Sequence, residues 1–78
     1  MTSTGVIGIP AGEKYIVCKY DVTYEEEPTS LAINGGKITS LMIEADGEII
    51  AHYDNQWCVY PEGEVAEIAY YILLQNYN

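Results

Sequence analysis

The sequence contains no arginine and only three lysines, against twelve aspartates and glutamates, which gives a net charge of −9 over 78 residues. Without a guanidinium group, the chain lacks the bidentate donor that suits phosphate and carboxylate ligands. Three lysines can neutralise few phosphates, so we expect no direct binding to nucleic acid. The acidic field favours encounter with basic protein surfaces instead.

Phenylalanine is also absent, whereas the chain has eight tyrosines and one tryptophan. Tyrosine is enriched at protein interfaces because its ring is apolar and its hydroxyl tolerates water. This composition favours a protein-binding protein over an enzyme.

Cysteines and long apolar runs are scarce. Cys18 and Cys58 can form at most one bridge, and we interpret both as reduced, small hydrophobic residues inside a sheet. Residues 1–5 lack the basic region and apolar run of a secretion signal, and no apolar stretch approaches the roughly 20 residues of a membrane span. We therefore expect a cytoplasmic protein with one domain over residues 1–78, without membrane contact. Homodimerisation would let so small a core bury more surface.

Alternating apolar and polar residues predict strands in the first third of the chain. A short strand is expected at residues 6–9 and a long one at residues 14–23. The long strand should turn one face to the core, made of Ile16, Cys18, Tyr20 and Val22.

Residues 24–36 form the least regular part of the sequence. The three glutamates at 25–27, followed by Pro28, exclude a central strand. Asn34-Gly35-Gly36 permits positive φ angles and predicts a sharp reversal. We expect Leu31 and Ile33 to anchor this loop to the core.

Two further β-type runs, residues 37–45 and 48–53, flank Asp46-Gly47, which is a favoured pair for a type I′ hairpin turn. A second turn at residues 54–56 leads into a short strand at residues 57–60. The apolar residues expected to face the core are Leu41 and Ile43 in the first run and Ile49, Ala51 and Tyr53 in the second.

The pattern becomes helical from Gly63 to about Tyr77, with apolar residues at spacings of three and four. The stripe expected to cover the sheet is Val65, Ile68, Ala69, Ile72 and Leu73. A second apolar row, Ala66, Tyr70, Leu74 and Tyr77, indicates burial against something else. The predicted fold class is α+β: an antiparallel sheet of four or five strands built from hairpins, with one C-terminal helix packed on it.

Several of these segments together resemble a family of short uncharacterised proteins from Firmicutes and their phages, over residues 33 to 78. The resemblance rests on Ile33-Asn34-Gly35-Gly36-Lys37-Ile38, Leu41, Ile43, Asp46-Gly47, Tyr53-Asp54, Trp57, Pro61, Ile72-Leu73-Leu74 and Tyr77-Asn78. The chain departs from the family at Asn55-Gln56, where a basic residue and a glycine are expected, and at Cys58, where an acid is expected. The resemblance implies no activity. By analogy, a phage origin favours an inhibitor of host defence enzymes, such as an anti-CRISPR protein.

Candidate catalytic and metal-binding residues are few. His52, Asp54, Cys18 and Cys58 lack the paired spacing of a zinc site. A Cys58–His52 pair is conceivable across the second turn, but no basic side chain nearby would lower the pKa of the thiol. The sequence predicts no enzyme, no metal and no cofactor.

Two other patterns have structural explanations. Carboxylates around the hairpin turn, from Glu44 to Glu48, are typical of a solubilising turn. Asn34-Gly35-Gly36-Lys37 resembles a nest of backbone amides, although no helix follows it, and we interpret it as a turn.

The candidate partner-binding residues fall into three groups: Glu25, Glu26 and Glu27; Glu62, Glu64 and Glu67; and Tyr70, Leu74 and Tyr77. The acidic groups would present phosphate-like charge to a basic groove, and the helical row would supply an apolar anchor. The alternatives are a solvated loop and compensation of the helix dipole for the acids, and helix packing or a homodimer seam for the row.

Three functions are compatible with these features. The first is a phage-derived inhibitor that occupies the basic surface of a CRISPR effector or another defence nuclease. The second is a homodimeric module that sequesters a small nucleotide signal. The third is a structural domain with neither activity. The missing arginines favour the first, because a phosphate-bearing ligand usually needs one.

Overall fold

The computed structural model describes residues 1–78 and contains five strands and one helix. The strands are β1 (Thr2–Ala11), β2 (Lys14–Tyr24), β3 (Ile38–Ala45), β4 (Glu48–Asp54) and β5 (Trp57–Val59), and the helix is α1 (Glu64–Tyr77). All strands pair antiparallel with their neighbours in sequence, in the order β1-β2-β3-β4-β5. The predicted α+β architecture is confirmed.

Helix α1 packs across one face of the sheet, which we call the covered face, and the other face is the open face. The core lies between α1 and the covered face. Its buried residues are Ile9, Cys18, Val22, Ile33, Ile38, Leu41, Ile43, Ala45, Ala51, Tyr53, Ala69 and Leu73.

The β3–β4 hairpin turns at Asp46-Gly47, where both residues have positive φ angles, of 52° and 77°. Positive φ at both central residues is the property of the type I′ turn that this pair predicts. Beyond the turn, β4 departs from regular pairing, because Ile43 pairs with Ala51 whereas Glu44 pairs with Ile49. Ile50 is thus the extra residue of a β-bulge.

Because of this bulge, the prediction that Ile49 faces the core is wrong. Ile49, which simple alternation places on the core face with Ala51 and Tyr53, is 43% exposed. Ile50 packs against the core instead. The extra residue inverts the facing of the strand on the turn side of the bulge.

Strand β1 is longer than the predicted residues 6–9. It begins at Thr2 because the polar residues before Val6 also pair with β2, in an unbroken register from Thr2↔Thr23 to Ala11↔Lys14. Gly5 lies opposite Tyr20, whose ring fills the space that a side chain at position 5 would need. The polar start of the strand therefore reflects an edge position and not a loop.

The segment from Glu25 to Lys37 contains a single 3₁₀ turn at Ile33–Gly35. Asn34 and Gly35 have positive φ angles, which confirms the predicted reversal. Ile33 is buried as expected, but Leu31 is 57% exposed, so the prediction that it anchors the loop through its side chain is wrong. The anchor is its backbone carbonyl, which accepts a hydrogen bond of 2.8 Å from the Tyr53 hydroxyl.

Both apolar rows of the helix face the sheet. Ala66, Ala69 and Leu73 are buried at the centre of the contact, and Ile68, predicted to lie there, is 37% exposed. The residues that flank this centre and pack against the core are Val65, Tyr70, Ile72, Leu74 and Tyr77. The prediction that the second row is buried against something other than the sheet is therefore wrong.

No helix of the structure is long and apolar enough to cross a membrane.

Candidate functional site

The largest groove of the molecule lies over the loop that follows β2. It has a volume of about 500 Å³. We call it the triglutamate groove, and it is lined by Glu25, Glu26, Glu27, Thr29, Leu31 and Thr39. Five of these six residues are polar, and the three glutamates are exposed.

Backbone hydrogen bonds fix the loop that carries the glutamates. The amide of Glu25 donates to the carbonyl of Lys37 at 2.9 Å, and the amide of Thr29 donates to the carbonyl of Gly36 at 2.9 Å. These bonds tie both ends of the Glu25–Thr29 stretch to the chain entering β3. The carboxylates are therefore presented from an anchored backbone.

A second groove adjoins the first and reaches the C-terminal end of α1. It has a volume of about 330 Å³ and its lining includes Glu25, Glu26, Tyr24 and Tyr77. The Tyr24 and Tyr77 rings are tilted against each other, with centroids 5.0 Å apart. Two of the three glutamates thus border an aromatic pair.

The Tyr77 hydroxyl lies in a small polar cluster between the helix and the sheet. It forms hydrogen bonds with the Ser3 hydroxyl at 2.9 Å and the Tyr20 hydroxyl at 3.4 Å. The bonds with Ser3 and Tyr20 lower the pKa of Tyr77, and the bond with Tyr77, aided by burial, raises the pKa of Tyr20. Tyr77 therefore fastens the end of α1 to β1 and β2.

The other acidic group lies at the opposite end of the helix. Glu62, Glu64 and Glu67 are exposed, and the first two border a groove of about 320 Å³ with Asp46 and Glu48. Helix α1 has 14 residues, so its two ends are about 21 Å apart at 1.5 Å per residue. The structure does not bring the two predicted acidic groups together.

Of the predicted apolar anchor, only Tyr77 borders a groove that contains glutamates. Tyr77 borders the groove beside Glu25 and Glu26, whereas Tyr70 packs edge-on against Trp57, with centroids 5.3 Å apart. Burial raises the pKa of Tyr70. Tyr70, Leu74 and Tyr77 all pack against the core, so each offers a partner only its half-exposed edge.

Asn34-Gly35-Gly36-Lys37 forms the predicted turn, in which the amides of Gly35 and Gly36 donate to the carbonyls of Ala32 and Ile33. The side chain of Asn78 binds beside this turn. The backbone amides of Lys37 and Ile38 donate to Asn78 Oδ1 at 2.8 and 3.0 Å. Asn78 Nδ2 donates to the carbonyl of Ile33 at 3.2 Å. Sequence reasoning missed this contact because the partners are about 40 positions apart.

The two cysteines have opposite surroundings. Cys18 is buried in the core, which confirms that interpretation, but Cys58 is exposed, so the expectation of a buried sheet residue is wrong there. Both thiols are free. Cys58 lies on β5 beside Val59, which pairs with His52, so the turn does place Cys58 and His52 on adjacent strands. No three His, Cys, Asp or Glu side chains converge to hold a metal ion.

We expect a thiol reagent to distinguish these cysteines. Burial, with a smaller contribution from the Asp46 charge, raises the pKa of Cys18, so this thiol is both inaccessible and protonated. Iodoacetamide should label one thiol per native chain, at Cys58, and both thiols in urea, as read by peptide mass spectrometry. Cys58→Ser is the control and should abolish native labelling. Labelling of native Cys18 as fast as Cys58 would contradict the fold.

A family model described as a domain of unknown function, DUF7678, matches residues 1–78. The chain belongs to this family. The match to DUF7678 spans the whole sequence, including the N-terminal third, which the motifs of the resemblance do not cover. It agrees with a resemblance to uncharacterised proteins. No curated protein and no solved structure matches this DUF7678 chain.

Proposed function

We propose that this DUF7678 protein binds a basic segment of a partner protein through the triglutamate groove. The observation that carries the proposal is that three consecutive exposed glutamates line the largest groove of a chain with net charge −9. Opposite charges at the groove would steer a basic partner and fix its orientation.

The lining suits a lysine or arginine side chain. Leu31 is the only apolar residue of the groove and is 57% exposed, so it can cover the aliphatic stem of such a side chain. The neighbouring carboxylates of Glu25, Glu26 and Glu27 would accept hydrogen bonds from the cationic head, and charge-assisted bonds of this kind are the stronger ones. The edge of Tyr77 supplies further apolar surface in the adjoining groove.

The partner that we propose is a nucleic-acid-handling enzyme of host defence, with a CRISPR effector as the leading candidate, and the protein would be a phage-derived inhibitor. Such effectors hold nucleic acid in positively charged channels. A cluster of carboxylates on this anchored loop would mimic the charge of successive phosphates, and its binding would block the substrate path. The resemblance to phage proteins and the net charge of −9 support this partner, and such an inhibitor would act in the host cytoplasm.

The test is a binding measurement against a panel of purified basic nucleic-acid enzymes that includes a CRISPR effector. We expect association that weakens steeply with salt and with competing nucleic acid. The triple variant Glu25→Gln, Glu26→Gln and Glu27→Gln should lose most of this binding.

A matched control removes the same charge at the other end of α1, by changing Glu62, Glu64 and Glu67 to glutamine. We expect the control to reduce binding by less, since it alters the overall field but not the groove. Equal losses in both triple variants would show attraction by net charge alone. Binding that neither salt nor the triple variant at residues 25–27 changes would exclude the proposed site.

The alternative of a nucleotide-sequestering module gains no support from the grooves. Asn78 Oδ1 already accepts hydrogen bonds from the backbone amides of Lys37 and Ile38. The groove at the start of α1 is bordered by four carboxylates, Asp46, Glu48, Glu62 and Glu64, which would repel a phosphate. A rise in the thermal unfolding midpoint on adding a cyclic nucleotide would support this alternative. A protein that binds neither basic enzymes nor nucleotides would favour a purely structural domain.

A further inference from the structure

The outer edge of β1 is long, and most of it lacks the features that prevent edge strands from pairing with other chains. Natural edge strands are kept short, bulged or charged, or contain proline. At the other edge of the sheet, β5 has only three residues. Strand β1 has ten residues, contains no charged side chain and pairs with β2 without a bulge, and its one proline, Pro10, lies at its end.

The backbone groups along this edge can be assigned from the pairing with β2. Met1 and Tyr24 exchange two hydrogen bonds, the Met1 amino group donating at 2.7 Å and the Tyr24 amide at 2.8 Å. Since the register is unbroken, the odd-numbered residues of β1 bond to β2 and the even-numbered ones point their backbone groups outward. The free amides at this edge belong to Thr2, Thr4, Val6 and Gly8.

The net charge is unevenly distributed between the β1–β2 hairpin and the rest of the chain. Residues 1–24 hold two lysines and two acids, so their side chains sum to zero. Residues 25–78 hold ten acids and one lysine, and therefore carry the whole net charge of −9. At the β1–β2 hairpin, two copies can therefore meet without bringing an excess of carboxylates together.

We propose that β1 is a homodimer seam, at which two copies pair antiparallel through their β1 edges into one ten-stranded sheet. A two-fold axis at Gly5 places Thr2 opposite the partner's Gly8, and Thr4 opposite the partner's Val6. Within each pair, the two residues exchange two hydrogen bonds, and the same holds for the symmetry-related pairs. All four outward amides of both copies are therefore used. Pro10, which has no amide hydrogen, stays outside these pairs, and the glycines at the axis bring no side chains into collision.

The absence of charged side chains on β1 favours a second copy of the chain over a basic peptide. The proposed register is self-complementary, as an isologous two-fold contact must be. A basic peptide, the partner proposed for the triglutamate groove, would find no carboxylate on β1. The seam is thus independent of the proposed function, and each can fail without the other.

The test combines oligomeric state with amide hydrogen exchange. Sedimentation and light scattering should show a concentration-dependent dimer. In the wild-type protein, the amides of Thr4 and Val6 should become protected as the dimer forms, whereas the odd-numbered amides are protected at every concentration.

The edge variant is Val6→Lys, and its matched control is Val17→Lys. Both valines are exposed on the open face, at 64% and 56%, but Val17 lies on the inner strand β2. The edge variant should be monomeric with an unchanged circular dichroism spectrum, and the control should remain dimeric. A wild-type protein that is monomeric at near-millimolar concentration would overturn the seam. An extended peptide would then be the remaining candidate for pairing with this edge. A dimer in which Thr4 and Val6 exchange freely would place the contact elsewhere, and would overturn it as well.

Discussion

Replacing Leu73 by alanine is expected to lower the free energy of unfolding by about 2–5 kcal/mol. Leu73 is 1% exposed and lies in the core between α1 and the sheet, so the shorter side chain loses its contacts and leaves a cavity. A domain of this size has a total stability of only about 4–12 kcal/mol at the usual value per residue. The variant should therefore unfold at a much lower urea concentration, with an unchanged m-value.

Ile68→Ala is the matched control for this prediction. Ile68 lies on the same helix and belongs to the stripe that periodicity predicts to face the sheet, but it is 37% exposed. Its truncation should cost about 1 kcal/mol or less, since it removes little buried area. If the two variants cost the same, the helix would have to present a different face to the sheet.

Asn78→Ala should lower the free energy of unfolding by about 2–3 kcal/mol, because it removes three hydrogen bonds worth about 1 kcal/mol each. The Asn78 carboxamide joins the end of α1 to the backbone at Ile33, Lys37 and Ile38. Urea denaturation measures the loss. Asn76→Ala is the control, since the exposed Asn76 makes one local bond to the Ile72 carbonyl, and it should cost a few tenths of a kcal/mol.

Gly36 provides an internal check on this contact. A Cβ atom at position 36 would overlap the Asn78 carboxamide, so Gly36→Ala should be costly in the wild-type protein. In the Asn78→Ala background the overlap is gone and the same change should cost less. Additive effects in this double-mutant cycle would mean that the two residues do not touch.

Much of the fold could be predicted because its signals are local. Asp46-Gly47 specifies its turn through φ angles that few other residue pairs adopt, and the alternation along residues 14–23 reports burial directly. The bulge at Ile50 could not be foreseen, because its position depends on the pairing of β4 with β3 and not on the order of residues in β4. The same holds for β1, whose polar first half is a strand only because β2 pairs with it.

The candidate site was predictable in its parts but not in its assembly. Three consecutive glutamates followed by Pro28 indicate an exposed acidic loop from sequence alone. That this loop borders Tyr77, and that Glu62 and Glu64 lie at the far end of α1, follows from the direction in which the helix crosses the sheet. Helical periodicity placed Ala69 and Leu73 on the sheet-facing side correctly, but it also placed the exposed Ile68 there and assigned the buried Ala66 to a different row.

We propose that the triglutamate groove, and not net charge in general, receives a basic segment. The most direct measurement is a titration of isotope-labelled protein with a short oligolysine peptide, followed through the backbone amide chemical shifts at low and high salt. We expect shifts concentrated at residues 25–39 that disappear at high salt and in the Glu25→Gln, Glu26→Gln, Glu27→Gln variant. Shifts of equal size around Glu62 and Glu64, or none at all at residues 25–39, would contradict the proposal.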